Sequence, residues 1–335
     1  MKKMHKASIL IFLLTFITSL TFAQETSEFS VKVGGLIQAW TSYGQINDAD
    51  TNSLGWGIRR ARLTATSNFG TKMKGIVQLE LTSFKLLDAK IEYSLSNMFT
   101  LSAGRFIGAG VRGAGLTGAG SIDITERAYS ADRWAANTIG TDFRDYGMDL
   151  TANIGELKAN VTLHNGDGSV NVTNKVLGSQ IQNGGFAVSG MLAYKPEMLK
   201  GLEVGGYYGV GNKEINEYSA YNAYAYFEPG KFKVKAEFIG WTNTIENSDL
   251  SQMGYYLLGG YKILDCLEAI ARYEIYDANT DLDDTELNFI TVGATYSLFP
   301  SKWNAGKITA AYIITGEPNI TVDNNVFQIV MQLSF

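Results

Sequence analysis

Apolar and polar residues alternate along this chain in short runs separated by turn residues, and the period is two. Phe29, Val31, Val33, Ile37 and Ala39 alternate with Ser30, Lys32 and Gln38. Ala61, Leu63 and Ala65 alternate with Arg60, Arg62 and Thr64, and Val77, Leu79 and Leu81 with Gln78, Glu80 and Thr82. Leu87, Ala89, Ile91 and Tyr93 alternate with Asp88, Lys90 and Glu92. Leu101 and Ala103 begin a fifth run; Tyr146, Met148, Leu150 and Ala152 form a sixth. Leu157, Ala159, Val161 and Leu163 alternate with Lys158, Asn160, Thr162 and His164. Weaker glycine-rich runs cover 185–195 and 202–210, and stronger ones 221–227, 232–238, 253–261, 267–275, 290–298 and 308–314. The last places Phe327, Ile329, Met331, Leu333 and Phe335 opposite Gln328, Gln332 and Ser334. The rhythm predicts about sixteen antiparallel strands and no helix, an all-β chain. A continuous apolar side opposite a charged one is the pattern of a transmembrane β-barrel, lipid outside and water within. In a soluble sandwich the apolar side would face a second sheet instead. Gln78, Glu80, Asp88, Lys90 and Glu92 are then predicted to face the lumen.

The connections alternate in length. Those expected at 44–55, 107–144, 165–184, 211–217, 242–250, 277–286 and 315–325 are long, with 83–86 the short exception. Those at 69–74, 95–99, 155–156, 196–201, 229–230, 262–266 and 300–306 are tight. Long loops at one end and short turns at the other are the asymmetry of outer-membrane barrels, and an even strand count puts both termini at the short-turn, periplasmic end. A free sheet edge would leave backbone groups unpaired in hydrocarbon, so the barrel must close.

Lys2, Lys3 and Lys6 precede an apolar run from Ala7 to Phe22, and Thr21-Phe22-Ala23 supplies small residues for cleavage before Gln24. Residues 1–23 therefore read as a secretory signal peptide and 24–335 as a single barrel domain in the bacterial outer membrane. The alternative, an N-terminal anchor, needs a longer apolar run than this one. Removing the signal takes away three lysines and no acid, moving the net charge from −5 to −8. An acidic chain with no basic block is a poor nucleic-acid binder. Cys266 stands alone, which rules out an intramolecular disulfide. Phe335 ends a strand resembling the closing strand of outer-membrane barrels, which that membrane's assembly machinery reads; outer-membrane lipid and that machinery are the implied partners.

Chemistry concentrates in one stretch. Eight of the nine arginines lie between 59 and 144: Arg59, Arg60, Arg62, Arg105, Arg112, Arg127, Arg133 and Arg144. Arg60 and Arg62 are predicted to project into the lumen, and most of the others belong to the 38-residue connection 107–144. So long a connection is expected to fold inward as a third extracellular loop, bringing its arginines near Arg60 and Arg62, opposite Glu80, Asp88 and Glu92. Guanidinium groups around a lumen favour anions, because they recognise phosphate or carboxylate through planar paired bonds. The blander expectation is that these arginines pair with Asp123, Glu126, Asp132, Asp142 and Asp145 and pin the loop.

At these residues the chain resembles the phosphate-selective porin O and P family. The likeness is carried by Gly57-Ile58-Arg59-Arg60-Ala61-Arg62-Leu63, Leu87-Asp88-Ala89-Lys90-Ile91-Glu92-Tyr93, Ala103-Gly104-Arg105-Phe106 and Glu126-Arg127-Ala128-Tyr129. Gly35-Leu36-Ile37-Gln38 and Arg144-Asp145-Tyr146-Gly147 add to it. The resemblance covers residues 29 to about 160. It implies a sixteen-stranded homotrimeric porin passing small polar or anionic solutes, with Arg60, Arg62, Arg105, Arg112, Arg127, Arg133 and Arg144 as constriction candidates. The acidic mature chain and the scarcity of later arginines, Arg272 excepted, lead us to expect mild anion preference without a tight phosphate site.

Other motifs carry less. Gly108-Ala109-Gly110-Val111-Arg112-Gly113 spells G-x-G-x-x-G but lacks the βαβ context of a dinucleotide site. Asp277, Asn279, Asp281 and Asp283 begin like a calcium loop, yet Leu282 stands where Gly is needed. Beyond the signal His164 is the sole histidine, with no nucleophile or acid placed beside it by the sequence. No cofactor, metal or enzymatic activity is expected; a barrel enzyme, or an adhesin or anchor without an open pore, are the rival classes.

Overall fold

Strands with one lipid-facing side must bond edge to edge around a full circle, and these do. The computed structural model describes residues 29–44, 52–166, 168, 174–176, 179–181, 186–213, 216–318 and 324–335. The expected signal peptide, 1–23, lies outside them. Sixteen strands form a closed antiparallel barrel. In order these are β1 (Phe29–Gly44), β2 (Ser53–Phe69), β3 (Met73–Glu80), β4 (Lys85–Ser94), β5 (Phe99–Phe106), β6 (Asp145–Ile154) and β7 (Leu157–His164). After a small separate hairpin, β8 (Asn174–Val176) and β9 (Ser179–Ile181), come β10 (Ala187–Tyr194), β11 (Leu202–Lys213), β12 (Asn216–Phe227) and β13 (Phe232–Ile245). The circle is completed by β14 (Ser248–Leu264), β15 (Leu267–Asp277), β16 (Glu286–Ser297), β17 (Gly306–Gly316) and β18 (Val326–Ser334). Closure pairs β1 with β18 from Leu36↔Ser334 to Gly44↔Val326. It ends with Gly35 N donating to Phe335 O at 2.8 Å and Phe335 N to Gly35 O at 3.1 Å.

Burial is inside out relative to a water-soluble protein. Ile91, Val161, Leu192 and Val234 are exposed, while Glu268, Glu274, Thr295 and Gln332 are buried. The apolar ring meets lipid and the polar side chains bond to one another across the interior, as a membrane barrel requires.

Three sequence expectations are corrected. Leu87 is buried and Leu86 exposed, because the register of β3 on β4 shifts between Gln78 and Leu79; a one-residue bulge turns the next side chain to the other face. The connection expected at 83–86 is the turn of residues 81–84. The long loops expected at 211–217 and 242–250 are mostly strand, since β11 runs to Lys213, β12 starts at Asn216, and β13 and β14 leave just Glu246 and Asn247 between them. Those two residues have φ of 50° and 68°, the left-handed pair that matches hairpin twist. With 17 residues, β14 is longer than the roughly 9–11 that span a membrane. Its outer end stands in water on both faces, so alternation fades there although the strand continues.

The connection between β5 and β6 contains a single turn of 3-10 helix, Ala119–Ser121, and one α-helix, α1 (Tyr129–Asn137), where the sequence reading expected none. It runs along the polar face of the wall, inside the barrel. Ala109 N donates to Thr162 Oγ1 of β7 (2.7 Å), Gly113 N to Glu237 Oε2 of β13 (2.9 Å) and Ser130 N to Glu274 Oε1 of β15 (3.1 Å). On the far side Gln332 of β18 donates to the Gly120 carbonyl (2.9 Å) and Gln38 of β1 to that of Ala119 (3.1 Å). The G-x-G-x-x-G stretch is explained by this crossing. A Cβ on Gly108 would lie 2.5 Å from Thr162 Oγ1, one on Gly110 3.1 Å from the Trp134 ring, and one on Gly113 would overlap the Glu237 carboxylate.

Candidate functional site

The loop divides the lumen. Towards β10–β15 it fills the space: Trp134 of α1 packs edge-on against Tyr207 (ring centroids 5.5 Å), and Trp241 stacks on Tyr276 at 6.1 Å. Ala131, Ala135, Tyr218 and Ile239 join the same buried apolar cluster. Towards β1–β4 a cavity of about 830 Å³ remains.

Its wall is built by β2, whose period sends Arg60 and Arg62 inward, and by the loop, which supplies Arg127 and Arg133; Arg59 and Arg144 complete an arginine-lined surface. Most of these cations are paired. Glu126 takes Arg60 Nη2 at 2.7 Å and Arg59 Nε at 2.9 Å. Arg62 Nε meets Glu80 Oε2 at 2.9 Å, and Arg144 Nε meets Asp88 Oδ1 at 2.9 Å. Gln78 Oε1 accepts from Arg144 Nη2 at 3.0 Å. Glu80 and Asp88 thus neutralise neighbours on the arginine side rather than facing it across the pore.

Two guanidinium groups are different. Arg127 donates to the carbonyls of Ala114 and Thr117 and stands 4.9 Å over the Phe143 ring. Arg133 lies over Tyr129 at 6.0 Å. Neither has a carboxylate at ion-pair distance among the described residues. Burial, and then the like charge of Arg60, push Arg127 down to about 10, so it remains a cation at neutral pH. Asp132, on the same wall, is pushed up by burial and then by Glu126. With Lys85 the lining carries seven cationic side chains against Glu80, Asp88, Asp132 and Asp142, while Glu126 and Arg105 pair with lining residues from behind it.

The remaining candidates lie elsewhere. Arg105, on β5, is buried, bonded to the Leu86 and Leu87 carbonyls and to Asp142 at 2.7 Å. Arg112 points away from the cavity and pairs with Glu203 at 2.8 Å. Lys90 and Glu92 pair with each other at 2.7 Å, apart from the cavity wall. Of the acids expected to pin arginines, Asp123 instead holds Lys233 and Lys235, at 2.7 and 2.8 Å. Asp145 accepts from His164 Nδ1 at 2.7 Å, and His164 Nε2 lies 3.3 Å from Ser189 Oγ. This Asp-His-Ser line was invisible in sequence because its members sit on three strands. Ser189 is 2% exposed and its hydroxyl also reaches the Ala109 carbonyl at 3.3 Å, so the line fastens the start of the loop.

A family model for Gram-negative porins matches residues 9–310. Among solved structures, an anion-selective porin from Comamonas acidovorans superposes with a TM-score of 0.67 at 15% identity, covering 92% of this chain and 100% of that one. A loop L8 deletion mutant of OmpT from Vibrio cholerae gives 0.68 at 14% identity over 92% and 100%. OmpF of Salmonella typhi gives 0.66 at 10% identity over 91% and 97%. At such identities the likeness establishes the fold. No curated protein matches by sequence.

Proposed function

The chain belongs to the Gram-negative porin family, an outer-membrane channel and not an enzyme, and from that premise we propose that small polar solutes diffuse through it with a mild preference for anions. The observation that carries the preference is the pair Arg127 and Arg133, cations on the cavity wall without carboxylate partners among the described residues. Within about one Debye length, roughly 8 Å at physiological salt, near charges outweigh distant ones, so these two cations at a narrowing prevail over the acidic exterior. Arg60 and Arg62 hold the narrowing in shape and add to its field. The similar porin from Comamonas acidovorans is anion-selective by its name, which agrees with this reading. In the same reading the mature chain starts at Gln24, assembles as a homotrimer, and is recognised for insertion through Phe335. Inorganic phosphate passes as any small anion does; each arginine paired to a carboxylate is already satisfied, which argues against a tight phosphate site in this cavity.

Reversal potentials in a planar bilayer under a potassium chloride gradient test the proposal. The wild type is expected to favour chloride, and Arg60→Ala with Arg62→Ala to shift it towards potassium. Strong cation selectivity in the wild type, or no shift in the double variant, overturns it. A wild type that gives no conductance would point to an anchor or adhesin instead.

A further inference from the structure

One line of hydrogen bonds ties the two ends of the inward loop together. Asp145, the first residue of β6, is where the loop returns to the wall, and Ala109 lies shortly after β5 ends. Asp145 Oδ2 accepts from His164 Nδ1 of β7 at 2.7 Å. His164 Nε2 lies 3.3 Å from Ser189 Oγ of β10, and that hydroxyl lies 3.3 Å from the Ala109 carbonyl oxygen. The same carboxylate accepts from the amides of Tyr146 and Gly166. All three side chains of the line are buried. Gly147, opposite His164 on β6, leaves this side chain room, since a Cβ there would stand 2.9 Å from His164 Cβ.

The line has three gaps, and the protons available to fill them depend on His164. A carboxylate only accepts, so a neutral imidazole places its one proton on Nδ1 and leaves Nε2 an acceptor. Ser189 then has one hydroxyl proton for two acceptors, Nε2 on one side and the Ala109 carbonyl on the other. One of those two gaps is always without a proton, and both are long for a hydroxyl. A proton added to Nε2 brings the count to three. The imidazolium donates to Asp145 and to Ser189, and the serine proton is released to Ala109. A charged member strengthens its own bonds and polarises the next one along.

The surroundings leave His164 in charge of this count. On β6, Asp149 is taken by Thr151, Asn160 and Thr162. Tyr218 of β12 is near enough to feel the charge of Asp145, and Tyr207 of β11 adjoins Tyr218; phenols carry no charge near neutrality. Here β10 brings Ala187, Ser189 and Met191, and the buried face of α1 brings Ser130, Ala131, Trp134 and Ala135. His164 is the one basic group at ion-pair distance from Asp145 among the described residues.

We propose that His164 is an acid-responsive lock on the inward loop: protonating it completes the line from Asp145 to Ala109 and holds both loop ends more firmly to the wall. Ile107 and Phe143, next to those two ends, line the arginine cavity, so the lock steadies the walls of that space. His164 and Ser189 act through Ala109 and are positioning residues. Neither they nor Asp145 line the arginine cavity, so the proton changes how firmly the loop is held and leaves the charge on that wall as it was. The lock goes beyond the proposed anion preference and does not rest on it.

The test follows one proton and one stretch of chain in the mature protein refolded in detergent. His5 lies in the expected signal peptide, so isotope labelling at histidine reports His164 alone by nuclear magnetic resonance. Its titration gives the midpoint at which the imidazole becomes charged. Hydrogen exchange, corrected for the intrinsic rate at each pH, gives the protection of the amides at 107–111. That protection should rise about fivefold on protonation, the factor that one added hydrogen bond supplies, and with the same midpoint. Ser189→Ala keeps the His164–Asp145 pair but cuts its link to Ala109, so His164 should still titrate while protection stays flat. His164→Gln should be flat as well. Heat-modifiable gel migration checks that each variant is a folded barrel. Anion preference enters none of these measurements, so the two proposals fail separately. Protection that falls or stays unchanged when His164 is protonated, or that rises as much in folded Ser189→Ala as in the wild type, overturns the lock.

Discussion

The two sides of this lumen are made from one loop and solve opposite problems. Against β10–β15 the loop is a helix whose Trp134 and Ala131 are buried among Tyr207, Tyr218 and Trp241. Against β1–β4 the same loop offers Arg127 and Arg133 to a polar cavity, with Glu126 behind its wall. The filled side is held by apolar contact, which needs volume and shape; the open side is held by ion pairs, which need partners and leave room for water. Even the helix start follows this division. Its N-cap, Ala128, makes no side-chain bond, and the Glu274 carboxylate of the wall accepts from Ser130 N instead, at 3.1 Å, placing negative charge at the positive end of the helix dipole. The larger cavity thus lies to one side, and its arginines come from β2 and from the loop beside it.

Removing the largest member of the filled side should have the greatest effect. Trp134 is 1% exposed, and Trp134→Ala should cost about 3–5 kcal/mol of stability, read as lower resistance to heat or denaturant in gel migration. Its loss also opens space, so single-channel conductance should rise while ion preference changes little. A stable variant with unchanged conductance would mean that packing on this side does not set the width of the passage.

The open side breaks differently. Glu126→Gln keeps the shape but removes the charge that serves both Arg59 and Arg60. Arg60 is 4% exposed at its side chain, so breaking its pair should cost on the order of 3 kcal/mol, the lower end for a buried pair because Glu126 is itself partly open to water. Chloride preference should increase, since two guanidinium charges lose their counter-ion. A fall in chloride preference would show that Glu126 does not face the conducting space.

Much of this contrast was legible in the chain, and the missing parts have physical reasons. Inward and outward positions followed from period two wherever one face meets lipid; Ile91, Val161 and Val234 are outward and Glu80, Asp88 and Thr162 inward. The rule failed at Leu87, where a bulge changes the phase, and at the outer ends of β13 and β14, where water on both faces erases the pattern. Arginine enrichment marked the stretch that supplies most of the cations lining the larger cavity, but which arginines lack a carboxylate partner did not follow. Arg60 and Glu126 are 66 positions apart and Arg112 and Glu203 are 91 apart, so pairing is decided by how the loop lies on the wall. The helix was missed for the same reason: nine residues are too few to be stable alone, and its cap is supplied from 144 positions away. The Asp145–His164–Ser189 line likewise exists only after closure.

The smallest expected effect is one of pH, and it discriminates between the two sides because the filled one offers the cavity no titrating carboxylate. Asp132 on the open side has its carboxyl raised by burial first and by Glu126 second, so it holds a proton at higher pH than an ordinary aspartate. Asp123, Glu126 and Asp142 of the same loop are lowered, burial being outweighed by Lys233 and Lys235, by Arg60 and Arg59, and by Lys85 and Arg105 respectively. As pH falls below neutrality Asp132 is therefore neutralised first among these loop acids, one negative charge leaves the arginine wall, and chloride preference should rise modestly. The sign follows from the shift: a raised acid pKa brings the neutral form into a milder pH range, while lowered ones stay ionised through it. Reversal potentials measured as pH is lowered from 7 towards the ordinary aspartate range check this, and Asp132→Asn should show the low-pH preference already at pH 7 and lose most of the dependence. A pH response that persists unchanged in Asp132→Asn would assign it to another group and remove Asp132 from the conducting surface.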